Sequence, residues 1–269
     1  MKTFKRILVV YSEKISSGHR QAVEGVRRRL QGRRYRMVRS QRLCGRDFDR
    51  VDLVITVGGD GAFIRAAAFV ERAAILGINS EPEYSEGALT SIRDDELDRL
   101  NEFLAGRFAT ITRQRARAEL NGQPLPSSAL NEIYVGARYQ FHTSRYLIEY
   151  RGVRESQRSS GVLVVTGSGS RAWYHSSGGR PFHYSERRLR FLVREPYSGR
   201  LFRPRLLHGE VGPADRIRFE SQRQAGGIVV LDAWRTYPFN RGSRLEISLS
   251  EWPLTVLVPT GSPSRAGLS

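Results

Sequence analysis

The segment Asp52 to Arg72, DLVITVGGDGAFIRAAAFVER, decides how the rest of the chain is read. Its first six residues are a strong apolar strand. Gly58-Gly59-Asp60-Gly61 interrupts it, and an alanine-rich stretch with helical character follows from Ala62 to Arg72. Glycines placed directly after a parallel strand let the backbone turn sharply and come close to a bulky ligand. The helix start beyond them offers unpaired N–H groups and a positive dipole end, which together favour phosphate. Asp60 is an odd residue for such a place, because it repels the phosphate that the loop attracts. Either it caps an ordinary tight turn, or it accepts a hydroxyl proton or organises a Mg²⁺ ion.

Working outward, apolar strands alternate with helical stretches up to about residue 108. Arg6 to Tyr11 is a continuous apolar strand of the kind buried on both faces of a parallel sheet. Ser17 to Arg33 carries Ala22, Val23, Val26 and Leu30 at helical spacing. Tyr35 to Arg39 and Ala74 to Asn79 read as further strands, and Asp94 to Leu104 as a helix with an acidic first turn. Alternation of this kind predicts right-handed crossovers and an open α/β sheet.

Beyond residue 109 the helical period nearly disappears. Strands are predicted at Arg115 to Leu120, Leu130 to Gly136, Arg145 to Tyr150, Gly161 to Thr166 and Leu189 to Arg194. Others follow at Arg216 to Glu220, Gly227 to Asp232, Arg244 to Ser250 and Leu254 to Pro259. Asn121-Gly122 is a hairpin signal, and one short helix is expected from Ser170 to Ser176. The expected organisation is an α/β domain over 1–108, a β-rich domain over 109–259 and a flexible tail over 260–269, with no internal repeat.

Bulk properties narrow the classes. The chain has 269 residues and a net charge of +17, from 44 basic and 27 acidic side chains, nearly all of the basic ones arginine. Such a charge attracts polyanions, but no basic tail or aromatic-interleaved repeat points to nucleic acid, which is not the expected partner. No apolar run approaches the roughly 20 residues of a membrane span, and the apolar run near the N-terminus is too short for a signal-peptide core. The single Cys44 excludes an internal disulfide and a multi-cysteine metal site, and fits a cytoplasmic setting. The five histidines show no metal-ligand spacing.

Three more motifs carry chemistry. Asn131-Glu132, at the start of a strand, pairs an amide with a carboxylate able to bond a ribose diol or a carboxamide, or else is a solvated strand start. Thr166-Gly167-Ser168-Gly169-Ser170 follows a buried strand and offers hydroxyls, backbone N–H groups and little bulk: a second phosphate cradle or a flexible loop. Asn79 ends a strand where ligands sit in α/β sheets, or caps a turn.

The ordered succession Gly-Gly-Asp-Gly (58–61), Leu-Gly-Ile-Asn (76–79), Leu-Asn-Glu (130–132), the run 160–170 and a late Val-Leu-Asp232 resembles the NAD kinase family. It is most similar to the divergent branch that includes the animal mitochondrial enzyme, through Asn79-Ser-Glu-Pro82, Ser85-Glu86-Gly87, the string Thr166 to Trp173, and Arg194-Glu195-Pro196. The resemblance implies an α/β plus β fold, a Rossmann-like N-terminal domain and a β-sandwich-like C-terminal domain with the active site between them. It implies Mg²⁺-dependent phosphorylation of the adenosine ribose 2′-hydroxyl of NAD by ATP or another donor, and a homo-oligomer, dimer or tetramer. In roles, it implies Asp60 as the catalytic residue and Gly58, Gly59, Gly61, Asn79, Thr166, Ser168, Gly169 and Ser170 as nucleotide and phosphate contacts. Asn131, Glu132 and Asp232 are implied as NAD contacts. No protein side chain is expected to form a dedicated metal site.

Departures leave the donor open. Ala62 stands where the family usually has threonine, Ser160 where the main branch has aspartate, and Arg171 where it has threonine. A lipid kinase of the diacylglycerol or sphingosine type shares the Gly-Gly-Asp-Gly loop, and a catalytically silent nucleotide or RNA binder is consistent with the charge and with Ala62.

Overall fold

The computed structural model describes residues 4–13, 16–200 and 203–261, which form two compact units. In the first unit, β1 (Ile7–Tyr11), β2 (Tyr35–Arg39), β3 (Leu53–Gly58) and β4 (Ala74–Asn79) pair in parallel in the order β2-β1-β3-β4. Every residue of β3 and β4 is buried, which is why both read as unbroken apolar runs. Helix α1 (Ser17–Arg29) packs Ala22 and Val26 into the same core as Val9, Ile55 and Leu76. It ends before the expected Arg33, with Leu30 as its cap and Gly32 in the left-handed region at φ 76°. Helix α2 (Asp60–Ala67) begins at Asp60 and stops short of the expected Arg72. Phe69 leaves its axis to stack on Phe48 at 5.4 Å.

The predicted helix over 94–104 is two pieces, a 3₁₀ turn Asp94–Arg99 and an α-turn Leu100–Leu104. Glu96 breaks the first at φ −106°, its carboxylate turning back to accept from the Arg93 amide at 3.2 Å.

The domain boundaries need correction. The first unit extends to Thr112 and resumes at Leu254, and the second spans Arg113–Pro253. The strand Leu254–Val258, expected in the β-rich half, pairs in parallel with β4, Thr255 opposite Ala74, and buries Leu257 in the first core. The strand Ala109–Arg113 lies beside it at the sheet edge. Of the expected tail, residues 262–269 lie outside the described residues.

The second unit contains two six-stranded sheets, in which the strands described pair antiparallel. Their facing sides supply one core, including Val135, Ile148, Val164, Phe191, Phe219, Val229 and Ile247. One sheet is centred on Val162–Val165, Glu132–Ala137 and Gly227–Leu231, so the chain segments entering or leaving these three strands meet at one end. Asn121 and Gly122 make the expected two-residue turn, at φ 54° and 77°. Arg151-Gly152 makes a second of the same hand, φ 47° and 76°, into a strand Val153–Ser159 that the sequence pattern does not signal. Edge strands His208–Val211 and Arg235–Pro238 are equally unexpected.

Candidate active site

In the first unit, the strand order reverses direction of growth between β1 and β3, and their carboxyl ends are where ligands settle in open α/β sheets. Ser12 follows β1, and Gly58 closes β3. The Ser12 hydroxyl oxygen is buried without a hydrogen-bond partner. His19 on α1 lies behind this crevice. Its Nε2 donates to the Ser12 carbonyl at 2.9 Å, which leaves Nδ1 facing the Ser80 hydroxyl at 2.7 Å. It thereby ties the ends of β1 and β4 together around β3.

Asp60 opens α2, and a segment running from Ser80 to Leu89 folds across it. Its carboxylate accepts from the Ala88 amide at 3.1 Å and from the Leu89 amide at 2.9 Å, and its own amide donates to the Ser85 hydroxyl at 3.2 Å. A side chain on Gly59 would lie 2.6 Å from that hydroxyl oxygen, so only glycine lets the segment approach this closely. Asn79 is buried and spends both ends of its amide on the same segment, donating to the Ser85 carbonyl at 2.9 Å and accepting from the Glu81 amide at 3.1 Å. Gly61 is open, with nothing near the position of a side chain. Asp60 is thus held rigidly, with each oxygen keeping acceptor capacity beyond its single hydrogen bond.

The second unit has its own constellation at the strand ends. Asp232, left-handed at φ 49°, is buried and accepts three backbone amides: Leu130 at 2.8 Å, Asn131 at 2.7 Å and Glu132 at 3.2 Å. Thr166 fastens the next strand to the same peptide. Its hydroxyl donates to the Leu130 carbonyl and accepts from Ser168 at 3.1 Å, while its amide donates to the Asn131 carbonyl at 2.9 Å. Ser170 bonds the Gly167 and Phe182 carbonyls, and Ser168 accepts from Arg113, whose guanidinium lies over the Tyr184 ring. The cradle-like residues Thr166 and Ser170 therefore hold the turn together with their side chains. Atoms left open are elsewhere: Asn131 Oδ1 and Glu132 Oε2 are buried and have no hydrogen-bond partner. Buried polar atoms are nearly always paired, so these two, on consecutive residues, are open to a further partner.

Electrostatics sharpen the pair. Burial pushes the Glu132 carboxyl up to about 8, and the Asp232 charge adds to the shift. Burial also raises Asp232, to about 6, with the three amides and Arg115 opposing it. The first proton of this pair leaves Asp232, whose charge is solvated by amides, and the second leaves Glu132.

Gly169 is a tight point of the turn. A methyl group there would lie 2.4 Å from the Asn131 carbonyl oxygen, backbone against backbone. Gly169→Ala is expected to destabilise the second unit by about 2 kcal/mol and to disturb Asn131 directly, measurable by urea unfolding.

The sequence-predicted residues fall into two groups, Gly58 to Gly61 with Asn79 in the first unit and Asn131, Glu132, Thr166 to Ser170 with Asp232 in the second. Within each group the members touch or adjoin. Sequence reasoning passed over Ser12, His19, Ser85 and Arg113. Only Ser85 left a trace, in the Ser85-Glu86-Gly87 string. Among the described residues no three His, Cys, Asp or Glu side chains cluster to hold a metal, and no helix is long and apolar enough to cross a membrane.

No protein-family profile matches the chain. A probable NADH kinase of Oryza sativa subsp. japonica is 32% identical over 232 residues, 78% of this chain and 71% of that one. Human mitochondrial NAD kinase 2 is 30% identical over 167 residues, 45% of this chain and 38% of that protein. The crystal structure of an NAD kinase from Archaeoglobus fulgidus in complex with ATP superposes with a TM-score of 0.71. It is 23% identical and covers 93% of this chain and 92% of its own, a likeness of fold.

Proposed function

The chain belongs to the NAD kinase family, and on that footing we propose that it transfers the terminal phosphoryl group of ATP to the 2′-hydroxyl of the adenosine ribose of NAD or NADH. The observation that carries the catalytic assignment is Asp60, fixed at the mouth of the sheet crevice by two backbone amides. In the reaction the ribose oxygen forms a bond to phosphorus as the bond to ADP breaks. The hydroxyl proton passes to the Asp60 carboxylate. Phosphoryl transfer asks for positioning and charge neutralisation rather than a covalent intermediate.

Gly61 leaves open space that suits phosphate, Gly58 and Gly59 let Ser12 and Ser85 come close, and Asn79 acts indirectly, by shaping the segment that carries Ser85. Asn131 and Glu132 would contact the nucleotide through their open atoms, with Asp232, Thr166, Ser168, Gly169 and Ser170 fixing the peptide that presents them. Mg²⁺ would be carried chiefly by the donor phosphates and water, since the described residues offer no acidic cluster. Bound in that way, it would neutralise charge on the donor phosphates.

A cytoplasmic setting is supported by the single cysteine, Cys44, free and exposed. A homo-oligomer, dimer or tetramer, is supported by the exposed rings of Tyr139, Phe141 and Tyr197 on the second unit, and sedimentation velocity would test it.

Purified protein given NAD or NADH, ATP and Mg²⁺ is expected to form NADP or NADPH, read by an NADP-specific cycling assay. No product with any nucleoside triphosphate or polyphosphate would overturn the assignment.

A further inference from the structure

Glu132 stands at the head of its strand with 6% of its surface exposed, yet Oε2 makes no hydrogen bond. Directly beside it lies a second buried carboxyl group, Asp232, which has taken the amides of Leu130, Asn131 and Glu132 for itself. The local donors are therefore spent on Asp232. Across the sheet the facing residue is Val165, which brings no charge, and on the other side Leu231 leads into Asp232. Arg115, the buried cation nearby, acts on Asp232 and gives two of its donors to the Trp252 carbonyl. Among the described residues, an ionised carboxylate in this position would have no amide, no cation and a like charge for company. Burying such a charge costs several kcal/mol, and a protein relieves the cost by keeping the proton.

We propose that Glu132 works as a neutral carboxylic acid, donating a hydrogen bond to an acceptor atom of the bound dinucleotide, rather than as a carboxylate accepting one. The adjacent Asn131 Oδ1 supplies the complementary acceptor. Between them the two residues offer one donor and one acceptor, which suits a carboxamide, the hydrogen-bonding edge of adenine or a ribose diol. A neutral acid also avoids repelling the dinucleotide's diphosphate. The neutral form persists through the physiological range because burial and Asp232 hold the Glu132 carboxyl near 8. This inference rests on the NAD kinase reading for the identity of the ligand, though not for the protonation state.

Two measurements test it. The first is NAD binding by calorimetry, without ATP or metal, from pH 6.5 to 9.5. Wild-type affinity is expected to hold steady below pH 8 and to fall about tenfold per pH unit well above it, as a single required proton is lost. Glu132→Gln, isosteric and always a donor, is expected to match the wild type within about threefold at pH 7 and to keep its affinity to pH 9.5. A wild-type affinity that is flat to pH 9.5, with Glu132→Gln weakened more than about tenfold at pH 7, would overturn the proposal. The second measurement is the infrared difference between ligand-free wild type and Glu132→Gln. A carboxylic-acid carbonyl band at pH 7 that bleaches above pH 8 supports the neutral acid, and an ionised-carboxylate band at pH 7 overturns it. If neither protein binds NAD at any pH, the kinase reading fails, and the infrared band alone decides the state of Glu132.

Discussion

An Asp60→Asn protein is expected to fold, to bind adenine nucleotide, and to form NADP at about a thousandth of the wild-type rate or less. Asparagine has nearly the same shape but cannot take the proton from the ribose hydroxyl, so the loss should fall on kcat and leave KM for NAD within a fewfold. A structural contribution must be separated from this. One of the two amides that Asp60 accepts, Ala88 or Leu89, would face an NH₂ group in the variant. That mismatch costs about 1–3 kcal/mol and would appear as a lower urea midpoint. Ser85→Ala is the control. It removes the hydroxyl that accepts the Asp60 amide and loosens the same segment while leaving the carboxylate in place. If it lowers kcat as much as Asp60→Asn, then Asp60 acts by holding the segment and the assignment as base is wrong. Retention of more than about a tenth of wild-type activity in Ser85→Ala, with near-total loss in Asp60→Asn, fits proton transfer.

The parts of the fold legible in the sequence are those whose burial is two-sided. β1, β3 and β4 have both faces covered, so their residues form unbroken apolar runs, and Gly58-Gly59 punctuates β3 where the backbone turns. The edge strand Val153–Ser159 reads VRESQRS because only a minority of its positions is buried, and it enters through Arg151-Gly152 rather than an asparagine turn. Leu254–Val258 was legible as a strand but not in its destination. An apolar run says that a strand is buried, while its partner, Ala74 for Thr255, 181 residues earlier in the chain, is fixed by the rest of the sheet.

The site divides in the same way. Asp60 announces itself by being an acid in a glycine-rich loop between a parallel strand and a helix. Asn131-Glu132 is indistinguishable locally from a solvated strand start, and what buries it is Asp232, about 100 residues later. The hydroxyls of Thr166 and Ser170 show the reverse case. Their composition suggests a ligand cradle, while in the fold each bonds backbone carbonyls and amides, within the turn and at Leu130 and Phe182. Ser85 and His19 left little local signal because their work is to hold other residues, across 25 and 61 positions of sequence.

Removing the Asp232 side chain should do more damage to the fold than any other single change in the site. Asp232→Ala strips the acceptor from three buried amides at once, and each orphan costs about 1–3 kcal/mol. A total of about 3–9 kcal/mol is comparable to the stability of a whole domain, so the second unit should be largely unfolded at 37 °C. Alanine also fits the left-handed backbone at this position less well than aspartate or asparagine. Asp232→Asn should be far milder. Its carbonyl can still accept the Asn131 and Glu132 amides, which share one oxygen, and only the Leu130 amide loses its partner. The asparagine also removes a buried charge, and with it part of the force that keeps Glu132 protonated. The pH dependence separates these effects. Both carboxyls sit above their ordinary values in the folded protein, so the native state holds protons that the unfolded chain releases. Wild-type stability should therefore be greatest, in this respect, below pH 4 and decline as pH rises to about 6 through Asp232 and on to about 8 through Glu132. Asp232→Asn should lose the first part of that decline and retain a shortened second part at lower pH. Urea unfolding at pH 4, 6 and 8 reads all three proteins on one scale. Equal losses in the alanine and asparagine variants would show that charge, and not the three amides, is what Asp232 supplies.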